Sequence, residues 1–506
     1  MFELSEILKG FATLLDLQLI MYLSIGFLVG VFFGAVPGLT SMLAITLLLP
    51  ITYSMSMVPA LVMCMGIYMA GIYSGSITAT TINIPGAPSA MMTAIEGHAM
   101  MKRGQGAKAL GHAAYASMIG GTIGALLLIL ISPLAVQLAL KVRTPGKFSL
   151  IFFALVVIGL IDRKNWIKGA VATMLGLIIS TIGMDVAKPV ARFTFGSVKM
   201  LEGVELIPLI IGSFAISELF IQSEVSNADY REITNQAVGM KIRRRDFLPT
   251  RQELREIGIF RYLKSSIIGY FIGILPGAGG SMAGFVSYAE AKRSSKYPEK
   301  YGDGSIEGIA CTEAANNAMC GGALVPMLSF GIPGDGTTAI ILGVLMVYGL
   351  IPGPELLTKQ IHLIAPMYAA LLVAALILIP LSLMLFGPYY VKIVKINRLI
   401  LYSSIALVSI MGAYSSTYSF FQMFLSLLIG TMMYALRKQS YPAVPFILAA
   451  LLGPLCEGYL RRTLSISQGN PLVFLTQLDS LFFLVLTVVF AIFFLKGTKH
   501  LDEIRA

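Results

Sequence analysis

The sequence predicts an all-α polytopic membrane protein with about ten to thirteen transmembrane segments, some of them broken or re-entrant helices. The first observation behind this prediction is composition, since 56% of the 506 residues are hydrophobic and only 12% are charged. Soluble domains carry roughly a quarter charged residues, so a soluble enzyme or a disordered scaffold would not have this composition. The second observation is a pair of Pro-Gly motifs that recurs in the same order later in the chain, which predicts two homologous halves.

The charge distribution indicates orientation in a membrane. Lys and Arg together number 37 and Asp and Glu together number 26, which gives a net charge of +11. The basic residues stand in short clusters between apolar runs, a pattern typical of the cytoplasmic loops of membrane proteins. We therefore interpret the positive charge as an indication of orientation in the membrane and not as evidence for a nucleic-acid partner.

A basic hydrophilic stretch at residues 222–261 divides the apolar sequence. It contains Lys241 and the run Arg243, Arg244 and Arg245, and we place it in the cytoplasm. The predicted organisation is a first transmembrane repeat half at 1–221, this basic cytoplasmic loop at 222–261, a second repeat half with Pro-Gly breaks at 262–390, and additional C-terminal transmembrane helices at 391–506.

Each half contains two Pro-Gly motifs. A G-x-x-x-G-x-x-P-G core covers residues 30–38 and returns at 269–277, and a further Pro-Gly pair follows at 85–86 and at 333–334. Proline removes a backbone N–H and glycine accepts backbone angles that other residues resist, so each motif is expected to break a helix. Within a bilayer, freed backbone groups are tolerated only inside protein or beside a water-filled cavity, and paired breaks in two halves point to a transporter's binding site. The alternative is that the glycines only allow close helix packing and that the prolines are tolerated kinks.

The chemistry around the breaks suits a small organic anion. The side chains there are mostly small hydroxyls and amides, and a helix that restarts after Pro-Gly directs unpaired N–H groups and the positive end of its dipole at the break. No Lys or Arg occurs in the four motifs, so we expect helix ends and co-bound Na⁺ or protons to balance the anion's charge. A sodium site near the breaks is left open, and no catalytic residue and no cofactor is predicted. The predicted substrate-binding residues are Pro37, Gly38, Leu39, Thr40, Ser41, Asn83, Pro85, Gly86, Ser89, Pro276, Gly277, Gly279, Gly280, Ser281, Asn316, Asn317, Pro333, Gly334, Asp335, Thr337 and Thr338.

Two acidic residues leave alternatives open. Asp335 directly follows a Pro-Gly pair and is expected either to take part in ion coupling or to cap a restarted helix. Glu313 precedes Asn316 by one helical turn and is either a site residue or a buried hydrogen-bond partner.

The sequence at residues 30–50, 73–111, 269–293 and 307–343 resembles the large membrane subunit of the tripartite tricarboxylate transporters, the TctA family. This resemblance implies a multi-pass secondary transporter of the bacterial cytoplasmic (inner) membrane, driven by a Na⁺ or H⁺ gradient. It also implies that the two homologous halves are inverted repeats and that the mechanism is elevator-like. It implies a small TctB-like membrane subunit and a periplasmic TctC-like solute-binding protein as partners, in addition to membrane lipid. The implied substrates are citrate-like tricarboxylates or related dicarboxylates and aromatic acids.

A channel and an intramembrane protease are the alternatives to a carrier. Broken helices and backbone carbonyls also form channel filters, although a repeat within one chain favours a carrier. A serine protease needs a general base. His98 and His112 flank a basic segment and are interpreted as solvated loop residues, which argues against this activity.

Overall fold

Helices make up most of the chain that the computed structural model describes, which comprises residues 4–52, 54–161, 165–185, 188–224, 244–393 and 398–503. Within these residues, eight helices are long and apolar enough to cross a membrane, or up to nine if one bent helix pair counts as a span. The predicted all-α polytopic class is therefore confirmed. The predicted range of about ten to thirteen segments is reached only if some of the five shorter apolar helices in the same residues also count. Lys241 and Arg243 of the basic stretch lie outside the described residues.

The helices are numbered in chain order. The first ten are α1 (Leu4–Leu14), α2 (Leu17–Ala35), α3 (Ser41–Thr52), α4 (Met57–Ile82), α5 (Met91–Lys102), α6 (Gly106–Lys141), α7 (Thr144–Leu160), α8 (Trp166–Ser180), α9 (Leu206–Ile210) and α10 (Ser217–Glu224). The later ones are α11 (Arg251–Ile257), α12 (Ile259–Ile274), α13 (Gly279–Ser294), α14 (Ile306–Phe330), α15 (Gly336–Val347), α16 (Pro354–Lys359), α17 (Ile361–Val373), α18 (Ile379–Ile393), α19 (Arg398–Ser415), α20 (Phe420–Lys438), α21 (Ala443–Ile466), α22 (Val473–Thr476) and α23 (Leu478–Glu503).

Irregular elements interrupt this helical pattern at a few places. A π-helical turn at Ile211–Ile216 joins α9 to α10, and a second at Ala374–Leu378 joins α17 to α18. Two short strands, β1 (Gly183–Met184) and β2 (Ala191–Arg192), pair antiparallel.

The chain forms two compact units. Unit 1 contains Met1–Ala135 and Gln222–Ile405, and unit 2 contains Val136–Ile221 and Ala406–Ala506. All four Pro-Gly motifs belong to unit 1. The predicted repeat halves follow the sequence rather than these units, and the boundaries and the inversion of the halves stay predictions.

The first Pro-Gly motif of each half ends one helix and begins the next. α2 gives way to α3 around Gly38, whose φ is +83°, and α12 gives way to α13 around Gly277, whose φ is +74°. A positive φ is readily available to glycine and costly for most other residues. The local sequence therefore accounts for both breaks.

The second Pro-Gly motif of each half follows a long buried helix that ends in a left-handed residue. α4 ends at Asn83, with φ 58°, and α14 ends at Gly331, with φ 72°. Gly and Asn are the usual residues at such helix ends because they tolerate this conformation best. The chain then restarts as the short 3₁₀ turn Pro88–Ala90 before α5, and as α15 directly after Asp335.

Both halves pack their breaks in the same way. A Cβ atom placed on Gly86 would collide with the carbonyl oxygen of Gly34, and a Cβ atom on Gly334 would collide with that of Gly273. Gly34 and Gly273 hold the same place in the G-x-x-x-G-x-x-P-G core. The second break of each half therefore lies against the helix that precedes the first break.

Alanine at either of these glycines is expected to destabilise the protein. Overpacking a tight contact typically costs about 1–3 kcal/mol, and the obstructing atoms at Gly86 and Gly334 are backbone atoms, which cannot rotate away. Gly458→Ala is the matched control, because a Cβ atom there meets no heavy atom within 4 Å. Thermal unfolding of the three purified variants checks this. Equal melting temperatures for Gly86→Ala, Gly334→Ala and Gly458→Ala would contradict the packing described above.

Unit 2 holds a small ion-pair network beside its two strands. Arg192 Nη1 lies 2.7 Å from Glu457 Oε1, and Arg461 Nη2 lies 2.8 Å from Asp185 Oδ2. These partly exposed pairs join β1 and β2 to α21. They contain no residue of the predicted site.

Candidate functional site

Contacts between the breaks of different halves define the candidate site in unit 1. The Ser41 hydroxyl oxygen, at the start of α3, lies 3.2 Å from that of Thr337 in α15. A Cβ atom placed on Gly280, at the start of α13, would lie 2.6 Å from the Cβ atom of Ser89, in the turn before α5. The first break of each half therefore touches the second break of the other half.

Asp335 caps the N-terminus of α15. One carboxylate oxygen accepts hydrogen bonds from the backbone N–H of Thr338 (2.8 Å) and from the Thr338 hydroxyl (2.7 Å). The Thr338 hydroxyl in turn accepts a hydrogen bond of 3.0 Å from the backbone N–H of Asp335. The other carboxylate oxygen accepts a hydrogen bond of 3.0 Å from the Tyr68 hydroxyl of α4. The capping alternative for Asp335 is thereby confirmed, and its part in ion coupling stays a prediction.

Asp335 also lies beside the start of α13. A Cβ atom placed on Gly279, the first residue of α13, would lie 3.7 Å from the Asp335 Cβ atom. The N-terminus of α13 itself has no side-chain cap, because Ala278 stands at the capping position. The first N–H groups of α13 therefore lie uncapped next to a carboxylate.

Several buried polar atoms near the breaks have no hydrogen-bond partner among the described residues. Neither amide atom of Asn316 forms a hydrogen bond of good geometry with a described residue, although its side chain is fully buried and interacts with the Glu313 carboxylate one turn earlier. Buried polar groups are nearly always paired, so each exception needs an explanation such as a bound ligand or water. The other such atoms on residues of or next to the breaks are Thr78 Oγ1, Thr80 Oγ1, Ser89 Oγ, Asn317 Oδ1 and Ser329 Oγ.

Asn316 lies at the meeting point of two breaks. A Cβ atom on Gly280 would come closer to the Asn316 amide oxygen than to any other atom, with Ser89 next. An amide can both donate and accept, and a serine hydroxyl can do the same. Asn316, Ser89 and the uncapped end of α13 together can bind a group that offers acceptor oxygens.

Glu313 is a buried hydrogen-bond partner one turn before Asn316. Its carboxylate accepts hydrogen bonds from the Thr93 hydroxyl of α5 and, at 3.2 Å, from the Ser117 hydroxyl of α6. No cationic side chain forms an ion pair with it in the described part of the chain. The hydrogen-bond alternative for Glu313 is confirmed.

The remaining predicted site residues divide by exposure. The side chains of Asn83 and Ser281 are exposed and make no hydrogen bond to another described residue. Thr40 is half-buried and accepts a hydrogen bond of 3.2 Å from the backbone N–H of Leu43, so it caps α3. Those that are buried or partly buried within the breaks are Pro37, Gly38, Leu39, Pro85, Gly86, Pro276, Gly277, Asn317, Pro333, Gly334, Thr337 and Thr338.

Sequence reasoning missed the partners that reach the two acids from other helices. Tyr68, Thr93 and Ser117 were not singled out, although each donates a hydrogen bond to Asp335 or Glu313. The only sequence signal for these residues was a polar side chain inside an apolar run. This signal is weak, because many such side chains hydrogen-bond only to the backbone of their own helix.

A further buried acid, Glu96, joins the two halves. Its carboxylate accepts hydrogen bonds from the Tyr288 hydroxyl (2.5 Å) and from the backbone N–H groups of Gly302 (2.6 Å), Gly304 (2.9 Å) and Ser305 (2.7 Å). Four donors to one buried carboxylate form a strong, charge-assisted set. Glu96 therefore fixes α5, which follows a break of the first half, to the loop between α13 and α14 in the second half.

The interpretation of the two histidines as solvated loop residues is wrong. His112 is fully buried in α6 and its Nε2 atom lies 3.2 Å from Glu253 Oε2. His98 lies in α5, with Nδ1 3.3 Å from the Thr80 carbonyl oxygen. Among the described residues no serine hydroxyl forms a hydrogen bond with either ring, so neither is placed as the base of a serine protease.

One family model and two relatives match the chain. The family model described as "Tripartite tricarboxylate transporter TctA family" matches residues 20–448. The chain is similar to the "Uncharacterized 52.8 kDa protein in TAR-I ttuC' 3'region" of Agrobacterium vitis, with 33% identity over 94% of this chain and 92% of that protein. It is also similar to the "Uncharacterized protein in TAR-II ttuC' 3'region" of Agrobacterium vitis, with 36% identity over 41% of this chain and 86% of that protein. No solved structure matches the chain.

Proposed function

Because the chain belongs to the tripartite tricarboxylate transporter TctA family, and is thus a multi-pass membrane transporter subunit, we propose that it imports a small organic carboxylate by coupling to an ion gradient. The proposed substrates are citrate-like tricarboxylates or related di- or aromatic acids. The proposed location is the bacterial cytoplasmic membrane, with a TctB-like small membrane subunit and a TctC-like periplasmic binding protein as partners.

The observation that carries this proposal is the unpartnered amide of Asn316 beside the uncapped N-terminus of α13. A helix N-terminus offers free N–H groups and a partial positive charge, which suit a carboxylate. Asn316 and Ser89 add side-chain donors at the same place. One substrate carboxylate is proposed to bind there, where it would satisfy polar atoms that are otherwise buried without partners.

The neighbouring end of α15 is proposed to bind a cation rather than a second carboxylate. Asp335 already fills this helix end with its own carboxylate, so an anion placed there would meet like charge. A carboxylate next to an anionic substrate is unfavourable in a site of low dielectric unless a cation or a proton neutralises one of them. Asp335 and the hydroxyls of Ser41 and Thr337 supply hard oxygen ligands of the kind that Na⁺ prefers, and protonation of Asp335 is the alternative.

This arrangement also explains why substrate and ion would be carried together. The anion is stabilised at α13 only when the charge of Asp335 is compensated, so binding of each favours binding of the other. All four breaks belong to unit 1. An elevator-like mechanism, in which one body carries the complete site, is the mechanism that we propose on this basis.

Uptake into proteoliposomes tests the proposal. The full chain is reconstituted with its small membrane subunit, and labelled di-, tri- and aromatic carboxylates are supplied with and without the binding protein under an imposed Na⁺ or pH gradient. Saturable uptake that needs both the gradient and the binding protein, with counterflow of unlabelled substrate, is the expected result. Non-saturating flux without counterflow would indicate a channel, and absence of uptake for every acid in a folded preparation would reject the carboxylate proposal.

A further inference from the structure

An apolar cavity of about 560 Å³ opens in unit 1 and is lined by none of the Pro-Gly break residues. This volume is typical of sites that hold small organic molecules. Ala114 and Met118 of α6, Leu383 and Met384 of α18, and Leu254 of α11 contribute apolar walls. The cavity is thus separate from the proposed carboxylate site in its lining residues and in its chemistry.

The cavity walls are fixed by Phe247. Its side chain is buried, and the chain at this point packs so closely on α6 that a Cβ atom on Gly111 would collide with the Phe247 carbonyl. On the opposite side, a Cβ atom on Gly387 of α18 would lie 3.0 Å from the Phe247 ring. The segment around Phe247 is therefore held in place by close packing on α6 and α18 and forms a fixed wall of the open cavity.

Two arginines line the same cavity. Arg244 and Arg245 stand in the 3₁₀ turn Arg244–Phe247, and both are exposed. Neither forms an ion pair with any residue that the structure describes. The acid nearest in the following helix, Glu253, is already paired with Lys108 at 2.5 Å. Asp246 stands beside Arg245 in the same turn but does not line the cavity. The open cavity therefore combines an apolar interior with two arginines that form no ion pair among the described residues.

The segment that carries the arginines stands nearly perpendicular to the apolar helix that follows it. The stretch Arg244–Ile257 meets Ile259–Ile274 at 92°. If the apolar helix enters a bilayer, a polar segment at this angle lies along the bilayer surface, at the level of the lipid headgroups. Leu248 and Met384 line the cavity and are 54% and 51% exposed, as expected for side chains that meet acyl chains instead of water.

We propose that this cavity binds an anionic phospholipid, with its phosphate on Arg244 and Arg245 and an acyl chain among the apolar walls. Arginine binds phosphate through paired N–H groups, and two neighbouring guanidinium groups favour a headgroup without a positive charge. Basic pockets between membrane helices bind anionic headgroups on this physical basis. A zwitterionic lipid would place its ammonium group close to the two arginines and bind more weakly.

Lipid titration followed by native mass spectrometry of the full chain in detergent tests the proposal. Phosphatidylglycerol is expected to bind at least tenfold more tightly than phosphatidylcholine. Each arginine near a membrane surface contributes about 1 kcal/mol to such binding. The double variant Arg244→Gln with Arg245→Gln is therefore expected to lower the affinity for phosphatidylglycerol roughly tenfold or more. Ala114→Phe fills the part of the cavity proposed for the acyl chain. It is expected to lower the affinity for the lipid while leaving any binding of inorganic phosphate unchanged.

The matched control is Arg251→Gln with Arg255→Gln. These arginines are exposed on α11 and do not line the cavity. Their replacement removes the same charge and is therefore expected to leave lipid affinity unchanged. An equal loss in both double variants would indicate general electrostatic attraction and overturn the site. Equal binding of inorganic phosphate and phosphatidylglycerol, or loss of bound lipid when the small membrane subunit assembles with the chain, would also overturn it.

Discussion

Asn316→Ala is expected to reduce carboxylate uptake about tenfold to hundredfold without lowering the stability of the protein. A hydrogen bond to a charged group contributes about 1.5–3 kcal/mol, which sets the size of the expected loss. Stability should be spared because neither amide atom of Asn316 has a hydrogen-bond partner among the described residues. Uptake into proteoliposomes and thermal unfolding of the same preparation check the two parts of this result.

Thr312→Val is the matched control for Asn316→Ala. Thr312 is equally buried and lies one turn earlier on α14, but its hydroxyl donates a hydrogen bond of 2.9 Å to the Gly308 carbonyl of its own helix. Its replacement by an isosteric side chain should leave uptake unchanged. If Asn316→Ala lowers the melting temperature and the uptake in proportion, Asn316 serves packing and the carboxylate site is wrong.

Asp335→Asn and Asp335→Ala are expected to separate the charge of this residue from its capping role. Alanine removes the N-cap of α15, at a cost of about 0.5–2 kcal/mol. It also leaves the buried Tyr68 hydroxyl with only a weak acceptor, the Met319 sulfur at 3.7 Å, which adds up to about 1–3 kcal/mol. Asparagine is as good an N-cap as aspartate, so Asp335→Asn should fold normally while losing the carboxylate. Unfolding measurements should therefore rank Asp335→Ala well below both the parent and Asp335→Asn.

The ion dependence of transport carries the second half of this prediction. If Asp335 compensates a coupling cation or carries a proton, uptake by Asp335→Asn should no longer respond to the imposed gradient, although the protein is folded. Gradient-dependent uptake at parental rates by Asp335→Asn would show that Asp335 only caps the helix and that the coupling ion binds at another site. The proposed carboxylate position at α13 would survive that outcome, because Asn316 tests it independently.

A lesson of this architecture is that its most informative residues are those without partners. Tyr68 and Thr338 account fully for the capping contacts of Asp335, and Thr93 and Ser117 account for Glu313. Asn316 is buried near these residues, but neither of its amide atoms has a hydrogen-bond partner of good geometry among the described residues. In a bilayer, where water cannot satisfy a buried group, this difference is the strongest physical indication of a binding role.

The sequence alone determined the membrane class and the positions of the four helix breaks. Hydrophobic content decides whether a chain can be soluble, and the backbone angles of proline and glycine are local properties, so Gly38, Gly277 and Gly331 adopt positive φ where the motifs predict a break. These features need no knowledge of distant residues.

Only the tertiary structure decided which polar groups meet. Tyr68 and Asp335 are 267 positions apart, and Ser41 and Thr337 are 296 apart, so no local pattern reveals that either pair is in contact. The same holds for Asn316 and for the burial of His112, which the sequence placed in a loop. Local chemistry fixes where a helix ends, but whether a side chain finds a partner depends on long-range packing, and the candidate site follows from that packing.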